Sequence, residues 1–527
     1  MTAVCVMVLG TTSGAGKSWL TTALCRHYAR MGLKVVPFKA QNMSNNARVV
    51  AKWVEREAGF TAGPPQGNAA PPGGNDPHDR QSVGAEIGSA QYFQALAARA
   101  EPEVRMNPLL LKPEADTRSQ VVLMGEVHHE LSVMPWRGRS EKVWPAITAA
   151  LDALRAENDL VVIEGAGSPA EINLHASDIV NMRIARHANA RCLLVTDIDR
   201  GGAFAHLYGT WALLPEGERA LIQGFVLNKF RGDAALLAPG PQMLQALTGV
   251  PTVATLPMWW QHGLPEEDGV FDDKTRASGA VSKTIAVVAY PRISNLDEFQ
   301  PLKNVPGVRL VWARSPVDCA GADWIVLPGS KATAADLVWL RAQGLDRAVA
   351  AHAAQGGAVL GICGGLQMLG EALIDTHGVE PMGQGNAPGL GLLPLVTTFE
   401  PVKAVRHRRT RFAKLNGPWA ALSEVDVQGY EIHQGQTAQH PAMAAAGDVA
   451  RAVLPDGLGW QNVAGNVLGV YVHGLLEDTR VLRALLGAEV PTLDSVFEGL
   501  ADFIERHFEP GALDALVAPF DPNPTSS

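Results

Sequence analysis

The chain of 527 residues is poor in cysteine, in aromatic residues and in charge, and each shortage excludes something. Its five cysteines, Cys5, Cys25, Cys192, Cys319 and Cys363, are an odd number at wide, irregular spacing. That is neither a disulfide framework nor a zinc-finger pattern, and a reducing compartment is expected. Charged residues are 18% and apolar residues 47%, a balance that excludes global disorder and allows a sizeable core. The length suggests two to four domains. Basic residues are not in excess: the net charge of −9 argues against broad binding of nucleic acid or anionic membrane. No apolar run approaches the roughly 18–20 residues of a membrane span. The N-terminal "MTAVCVMVLG" has no basic leader and no cleavage site, so it reads as a first buried strand and not as a signal peptide. A cytoplasmic protein without nucleic-acid or membrane partners is expected. Nothing in the sequence reads out an oligomeric state.

Short apolar runs fill much of what is present. "VCVMVLG", a helical stretch over 17–31, "KVVPFKA", "DLVVIEG", "RCLLVTD" and "IQGFVLNK" alternate strand-like and helix-like character. That alternation predicts a doubly wound parallel sheet of α/β class. A second alternating series holds "TIAVVAY", "DWIVLPG", "GAVLGIC" and "VLGVYVHG". The expected organisation is a first domain over 1–255, an irregular linker over 256–283, a second α/β domain over 284–485, and a C-terminal helix and tail over 486–527. The Pro/Gly/Ala-rich stretch 62–80 is expected to be a flexible surface insert.

Two strand-to-helix turns carry chemistry. "GTTSGAGKS", Gly10 to Ser18, ends as a P-loop ends. Thr12, Gly14 and Gly16 belong to a backbone cradle for phosphates, Lys17 reaches the β/γ-phosphates, and Ser18 ligates Mg²⁺. The strict pattern places glycine six residues before the lysine; here that position is Thr11, with Gly10 one place earlier. Ligands of such sheets sit at the C-terminal strand ends. Glu164 stands there as a candidate Mg²⁺ group, Asn228 as a candidate reader of a purine edge, and Asp197, Asp199, Arg200 and Lys229 as polar neighbours. Asp199 and Arg200 could equally pair with each other.

The second turn is "VLGICGGLQMLG". Gly361, Gly364 and Gly365 flank Cys363 in the logic of a nucleophile elbow with sulfur in place of oxygen. A thiolate nucleophile needs a base, and His473 in "VYVHGLLED" ends a strand well downstream. His352 and His407 are less well placed. Gly329 in "LPGSK" is a candidate oxyanion-hole donor.

Together these motifs carry a resemblance. "GICGGLQMLG" with "YVHG" resembles a class I glutamine amidotransferase domain of flavodoxin-like α/β fold. "GTTSGAGKS", "FKAQNMSNN", "EIGSAQ", "MNPLLLKP", "VIEGAGSPAEINL" and "DIDRGGAF" resemble, in order, the dethiobiotin synthetase-like synthetase half of the cobyric acid synthase family. The resemblance spans nearly the whole chain. It implies amidation of the b, d, e and g carboxylates of adenosylcobyrinic acid a,c-diamide, with ATP, Mg²⁺ and L-glutamine. An acyl phosphate would form in the first half, and ammonia would be released at Cys363 with His473 as proton shuttle. Many class I domains have His-x-Glu, but two residues after His473 stands Leu475. The family resembles this chain in that lack, which implies a Cys–His dyad or an orienting group from elsewhere.

"FKAQNMSNN" packs Gln41, Asn42, Asn45 and Asn46 into six residues behind the phosphate loop. On composition alone it is a solvated loop. By position, Gln41, Asn42, Ser44 and Asn45 are candidates to hold a polycarboxylate acceptor through neutral donors. The alternatives are a cobyrinic acid a,c-diamide synthase, with the same chemistry on other carboxylates, and a partition-type P-loop ATPase with a relic cysteine domain.

Overall fold

Every apolar run that ends in a turn residue forms a buried strand. The computed structural model describes residues 2–51, 84–115, 117–260, 262–265, 280–380 and 385–518. The expected insert over 62–80 and most of the expected linker lie outside the described residues, as does the end of the tail. Six strands make the first sheet, in the order Thr252–Pro257, Ile222–Phe230, Arg191–Asp197, Val4–Gly10, Leu160–Glu164, Val35–Phe38. All five pairings are parallel. Strands covered on both faces need no polar alternation, which is why these read as continuous Val/Ile/Leu runs. The chain leaves Val4–Gly10 toward one edge of the sheet and later continues toward the other. The crevice at this reversal is where doubly wound sheets bind ligands, and it holds the phosphate loop.

The second sheet runs Val308–Ala313, Lys283–Val288, Trp324–Leu327, Ala358–Ile362, Val467–Val470, Gly459–Gln461, Arg451–Leu454. Its first five strands are parallel and the last two antiparallel. Ala358–Ile362 is central, so the elbow at Cys363 opens at the C-terminal edge of a rigid sheet. No helix among the described residues is long and apolar enough to cross a membrane.

The C-terminal helix Leu493–His507 returns to the first domain. Phe497, Leu500 and Ile504 pack into the cluster that holds Leu20 and Leu24 of the phosphate-loop helix Lys17–Arg30. Each such side chain contributes about 1.5–3 kcal/mol on burial. Arg26, 1% exposed, is held by Asp494 at 2.7 Å and Glu498 at 3.2 Å. Tyr28 Oη donates to Leu513 O at 2.8 Å.

Two features join the halves. A long hairpin of the second domain, Leu395–Arg411 with Asp426–Gln439, reaches the short strand Ala47–Val50 and its partner Ala85–Gly88. Gly84 N–H donates to Val405 O at 2.8 Å, and Lys403 pairs with Glu86. In turn, residues 45–48 of the amide-rich segment insert against the second domain at Asn295–Asp297.

Candidate active sites

The departure from the strict phosphate loop has a physical reason. A Cβ at Gly10 would lie 2.9 Å from Thr12 O and 3.0 Å from Lys17 Cδ, so glycine is needed at that position. Thr11, where the strict pattern has glycine, anchors the loop instead: its N–H donates to Val195 O, and its hydroxyl meets that of Thr196, both at 2.9 Å. Lys17 Nζ donates to Thr12 O at 2.8 Å, Gly167 O at 3.1 Å and Ser13 O at 3.3 Å. Thr12, Gly14 and Gly16 line this bend, and Gly16 has φ +97°. Asn228 Nδ2 donates to Ala15 O at 2.9 Å, so the amide expected to read a purine edge is engaged with the loop. Asp197 meets Lys229 at 3.1 Å and Arg200 at 3.4 Å. Asp199 pairs with Arg231, and the Asp199–Arg200 pairing is not formed.

Glu164 is the hub of the first site. It is 1% exposed and accepts from Ser18 Oγ at 2.8 Å, Lys39 Nζ at 2.8 Å and Gln94 Nε2 at 2.5 Å. Burial opposes its ionisation, but Lys39 and the hydrogen bonds from Gln94 and Ser18 hold its pKa below the usual carboxylate range. A serine hydroxyl beside an ionised carboxylate is a hard-oxygen donor set of the kind Mg²⁺ takes alongside waters and phosphate oxygens. Among the described residues no cluster of three His, Cys, Asp or Glu could hold a metal, so the remaining ligands would come from nucleotide and water.

Lys39 and Gln94 are functional candidates that sequence reading missed. Lys39 had one signal: a lysine closing an otherwise apolar strand. Gln94 had another: Gln91 and Gln94 stand three apart on the helix Ser89–Ala97, and both are fully buried. Both polar atoms of Gln91, with Oε1 of Gln94, Oε1 of Gln41 and Oγ of Ser89, are buried without hydrogen-bond partners. A Cβ at Gly88 would lie 2.4 Å from Asn42 Nδ2, 2.8 Å from Gln91 Oε1 and 3.1 Å from Asn107 Oδ1. Amides thus gather here with hydrogen-bonding capacity unspent, which is costly unless a ligand uses it.

The four acceptor candidates separate. Asn42 joins this amide cluster, while Gln41, its neighbour on the strand Gln41–Met43, keeps its own buried Oε1 without a partner. Ser44 shapes the turn, accepting from Asn46 N–H at 3.0 Å. Asn45 lines the pocket of Cys363, in the other half of the molecule.

Cys363 sits in the second site at φ 51°, ψ −106°, a conformation that costs a non-glycine residue about 1–3 kcal/mol and is typical of functional turns. Close packing forces the glycines beside it: a Cβ at Gly365 would stand 1.9 Å from Leu327 O, and one at Gly364 2.7 Å from Ser330 N. Besides Asn45, the pocket is lined by Lys112, Lys331, Gln367, Glu380 and Gln434.

His473, 1% exposed, lines the same pocket as Cys363, whose Sγ donates to Ile432 O at 3.7 Å. His433 lines the same pocket, but its Nε2 meets Glu431 and its Nδ1 meets Gly435 O, each at 2.8 Å, so neither nitrogen serves the thiol. His352 Nε2 meets Ala358 O in its own helix–strand turn. Gly329 touches the base directly: a Cβ there would lie 2.6 Å from Ser294 Oγ and 2.8 Å from His473 Cε1. Gly329→Ala is expected to displace the imidazole and cut glutamine turnover by about 10²-fold, measured as glutamate release, with ammonia-supported turnover unchanged.

The missing orienter is Glu298. Its Oε1 lies 3.2 Å from His473 Nδ1, and its Oε2 accepts from Gly474 N–H at 3.0 Å. Leu475, in the place where many class I domains have glutamate, is 1% exposed and belongs to the hydrophobic core. The carboxylate arrives from 175 positions earlier in the chain, on the short 3₁₀ turn Leu296–Phe299. No local sequence signal marks it. Burial alone would lower the pKa of His473, but Glu298 and Cys363 raise it to about 10. The imidazole therefore holds its second proton through neutral pH.

Known proteins are similar to both halves of the chain. The family described as "CobB/CobQ-like glutamine amidotransferase domain" matches residues 284–481, and that described as "CobQ/CobB/MinD/ParA nucleotide binding domain" matches residues 6–263. The protein named cobyric acid synthase of Acidovorax ebreus (strain TPSY) is 76% identical, over 98% of this chain and 100% of its own. Those of Polaromonas naphthalenivorans (strain CJ2) and Variovorax paradoxus (strain S110) are 71% and 72% identical, with the same coverage. With a phosphate loop in one half, a cysteine elbow in the other and relatives of this identity along its full length, the chain belongs to the cobyric acid synthase family of glutamine-hydrolysing ligases.

Proposed function

We propose that the chain amidates the b, d, e and g carboxylates of adenosylcobyrinic acid a,c-diamide to give adenosylcobyric acid, using ATP and glutamine. A carboxylate is a poor electrophile because attack on it would have to expel oxide. In the first site the acceptor carboxylate attacks the γ-phosphorus of ATP, forming an acyl phosphate and releasing ADP. Lys17 and Lys39 offset the charge that develops on the phosphoryl oxygens. Ser18 and Glu164 would hold Mg²⁺, which when bound would offset negative charge on the phosphates. Gln41 and Asn42, with Gln91, hold the acceptor through neutral hydrogen bonds, which bind an acid and release an amide with similar ease.

In the second site the Cys363 thiolate attacks the glutamine carboxamide, with Gly329 contributing to the oxyanion site. His473 protonates the departing nitrogen, ammonia leaves, and water then hydrolyses the thioester to glutamate. Lys331 and Glu380 suit the α-carboxylate and α-ammonium of the substrate. Ammonia attacks the acyl phosphate, and inorganic phosphate departs.

The observation that carries this reading is the span from Lys39 to Asn45. Lys39 contacts the Glu164 hub and Asn45 lines the Cys363 pocket, so five residues separate the two and their backbones lie at most about 22 Å apart. A short protected path suits ammonia, which protonates in bulk water at neutral pH. Five unpaired, buried cysteines fit a reducing cytoplasm.

The test is incubation with ATP, Mg²⁺, glutamine and adenosylcobyrinic acid a,c-diamide, with carboxylate-to-amide conversions counted by mass spectrometry. Conversion of a and c carboxylates in cobyrinic acid, with no change in the diamide, would refute the reading. Asn42→Ala is expected to reduce amidation by about 10–10²-fold, the loss of hydrogen bonds worth about 1.4–3 kcal/mol. Cys363-dependent glutamate release should stay within about 3-fold. Unchanged amidation would return the segment to a solvated loop.

A further inference from the structure

The amide-rich segment also reaches the base of the other site. Asn46 Oδ1 accepts from Leu296 N–H at 3.1 Å, and Ala47 N–H donates to Asn295 Oδ1 at 3.0 Å. Arg48, 3% exposed, pairs with Asp297 and donates through Nη1 to Glu477 Oε2 at 2.8 Å. These contacts grip the two chain segments that position His473. Asn295, Leu296 and Asp297 immediately precede Glu298, and Glu477 stands four residues after His473. Arg48 also faces the Tyr430 ring at 5.1 Å. Tyr430 in turn stacks on His473, centroids 5.5 Å apart, and exchanges two backbone hydrogen bonds with it. Arg48 belongs to the nucleotide-binding half, where it lies over the Phe93 ring at 4.9 Å and the Tyr92 ring at 5.7 Å, while both carboxylates it grips belong to the glutamine half.

The turn Leu296–Phe299 is a single 3₁₀ turn, an element with little rigidity of its own. What places Glu298 within hydrogen-bond reach of His473 is therefore what holds the turn. A planar guanidinium can hold two carboxylates at fixed angles, which a lysine ammonium does not. Without Arg48, the buried Asp297 and the partly exposed Glu477 are left as unpaired like charges beside Glu298, an arrangement that relieves itself by moving the turn. On the other side, residues 46–48 follow Gln41 and Asn42 within one short stretch, so a shift of the acceptor cluster is transmitted by backbone.

We propose that Arg48 is a positioning residue for glutamine hydrolysis: it locks the Leu296–Phe299 turn so that Glu298 meets His473, and it ties that contact to the seating of residues 41–50 at the acceptor site. The inference rests on the glutaminase reading of Cys363 and His473. Glutamine cleavage then depends on the state of the synthetase half without any ligand contacting the cysteine domain.

The experiment measures glutamate release against pH, together with ammonia-supported amidation, in the full chain and in Arg48→Ala, Arg48→Lys and Cys363→Ala. The groups that face His473 are Cys363, Glu298 and Tyr430, with Asp297, Glu477, Arg48 and Tyr290 behind them. Arg48→Ala is expected to lower kcat for hydrolysis by about 10–10²-fold, the cost of misplacing a catalytic group. KM should change by less than about 3-fold. The alkaline limb should move to lower pH as Glu298 loses its grip on the imidazolium, and ammonia-supported amidation should persist. Arg48→Lys should recover part of kcat and part of the shift, and it carries the test if the alanine variant does not fold. A wild-type kcat and pH profile in Arg48→Ala overturns the proposal, as does equal loss of both activities in both variants. If the parent protein releases no glutamate, or Cys363→Ala releases as much as the parent, the glutaminase reading itself fails.

Discussion

Cys363→Ala abolishes glutamine-supported amidation, by at least about 10³-fold, while ammonia still supports it. The two sites share no catalytic side chain. In the proposed reaction, phosphoryl transfer uses the cluster of Lys17, Lys39 and Glu164, and amide cleavage uses Cys363, His473 and Glu298. Alanine removes the nucleophile and no contact of the first site. The acyl phosphate still forms and accepts ammonia from solution, at the expense of needing a high ammonium concentration or an alkaline pH. Mass spectrometry of the corrinoid with each nitrogen source checks this. Equal loss with both sources would show that the sites are not separable.

Glu298→Gln lowers glutamine turnover by about 10²–10⁴-fold, the range set by neutralising the orienting carboxylate of a comparable triad. Glu298 accepts two hydrogen bonds, from His473 and from Gly474 N–H. Glutamine has one acceptor oxygen, so its amide N–H₂ must oppose one of those donors. The sign of the pH effect follows from the charge. His473 stands near 10 instead of its ordinary 6.5, so its imidazolium persists through neutral pH and is lost only as pH rises through about 10. Removing the carboxylate lowers the pKa, and the alkaline limb of glutamate release moves down. The stability linked to this raised pKa is present in full below 6.5 and is lost toward 10. The stability difference between parent and variant should therefore narrow over that window. Rate profiles and denaturant unfolding at several pH values read the two effects separately.

Both chemical centres were legible because each is local. A glycine-bounded turn between an apolar strand and a helix is a sequence feature before it is a structural one, so "GTTSGAGKS" and "GICGG" placed Lys17 and Cys363 directly. The misplaced glycine of the phosphate loop was also legible, but its reason was not: Thr11 ties the loop to Thr196 on a strand about 185 positions away. The amide-rich segment is unusual by composition, and its position makes Gln41, Asn42, Ser44 and Asn45 acceptor candidates without saying which of them only shape the turn. The fold then divides it. Asn42 meets the amides beside Gly88, the chain turns at Ser44, Asn45 lines the Cys363 pocket, and residues 46–48 contact the second domain.

The sequence by itself determined the α/β class, the order of the two halves, the two glycine-bounded turns, and the family. These depend on hydrophobic runs and on backbone conformations that only certain residues permit, and both are written in neighbouring positions. Only the tertiary structure decided what surrounds those groups. The Lys39–Glu164–Gln94 hub, the Glu298 carboxylate and the Arg48 bridge between the halves each join residues far apart in the chain. A buried charge is stable only with a partner, and which partner it meets is settled by how sheets and domains pack, a relation that carries no local mark.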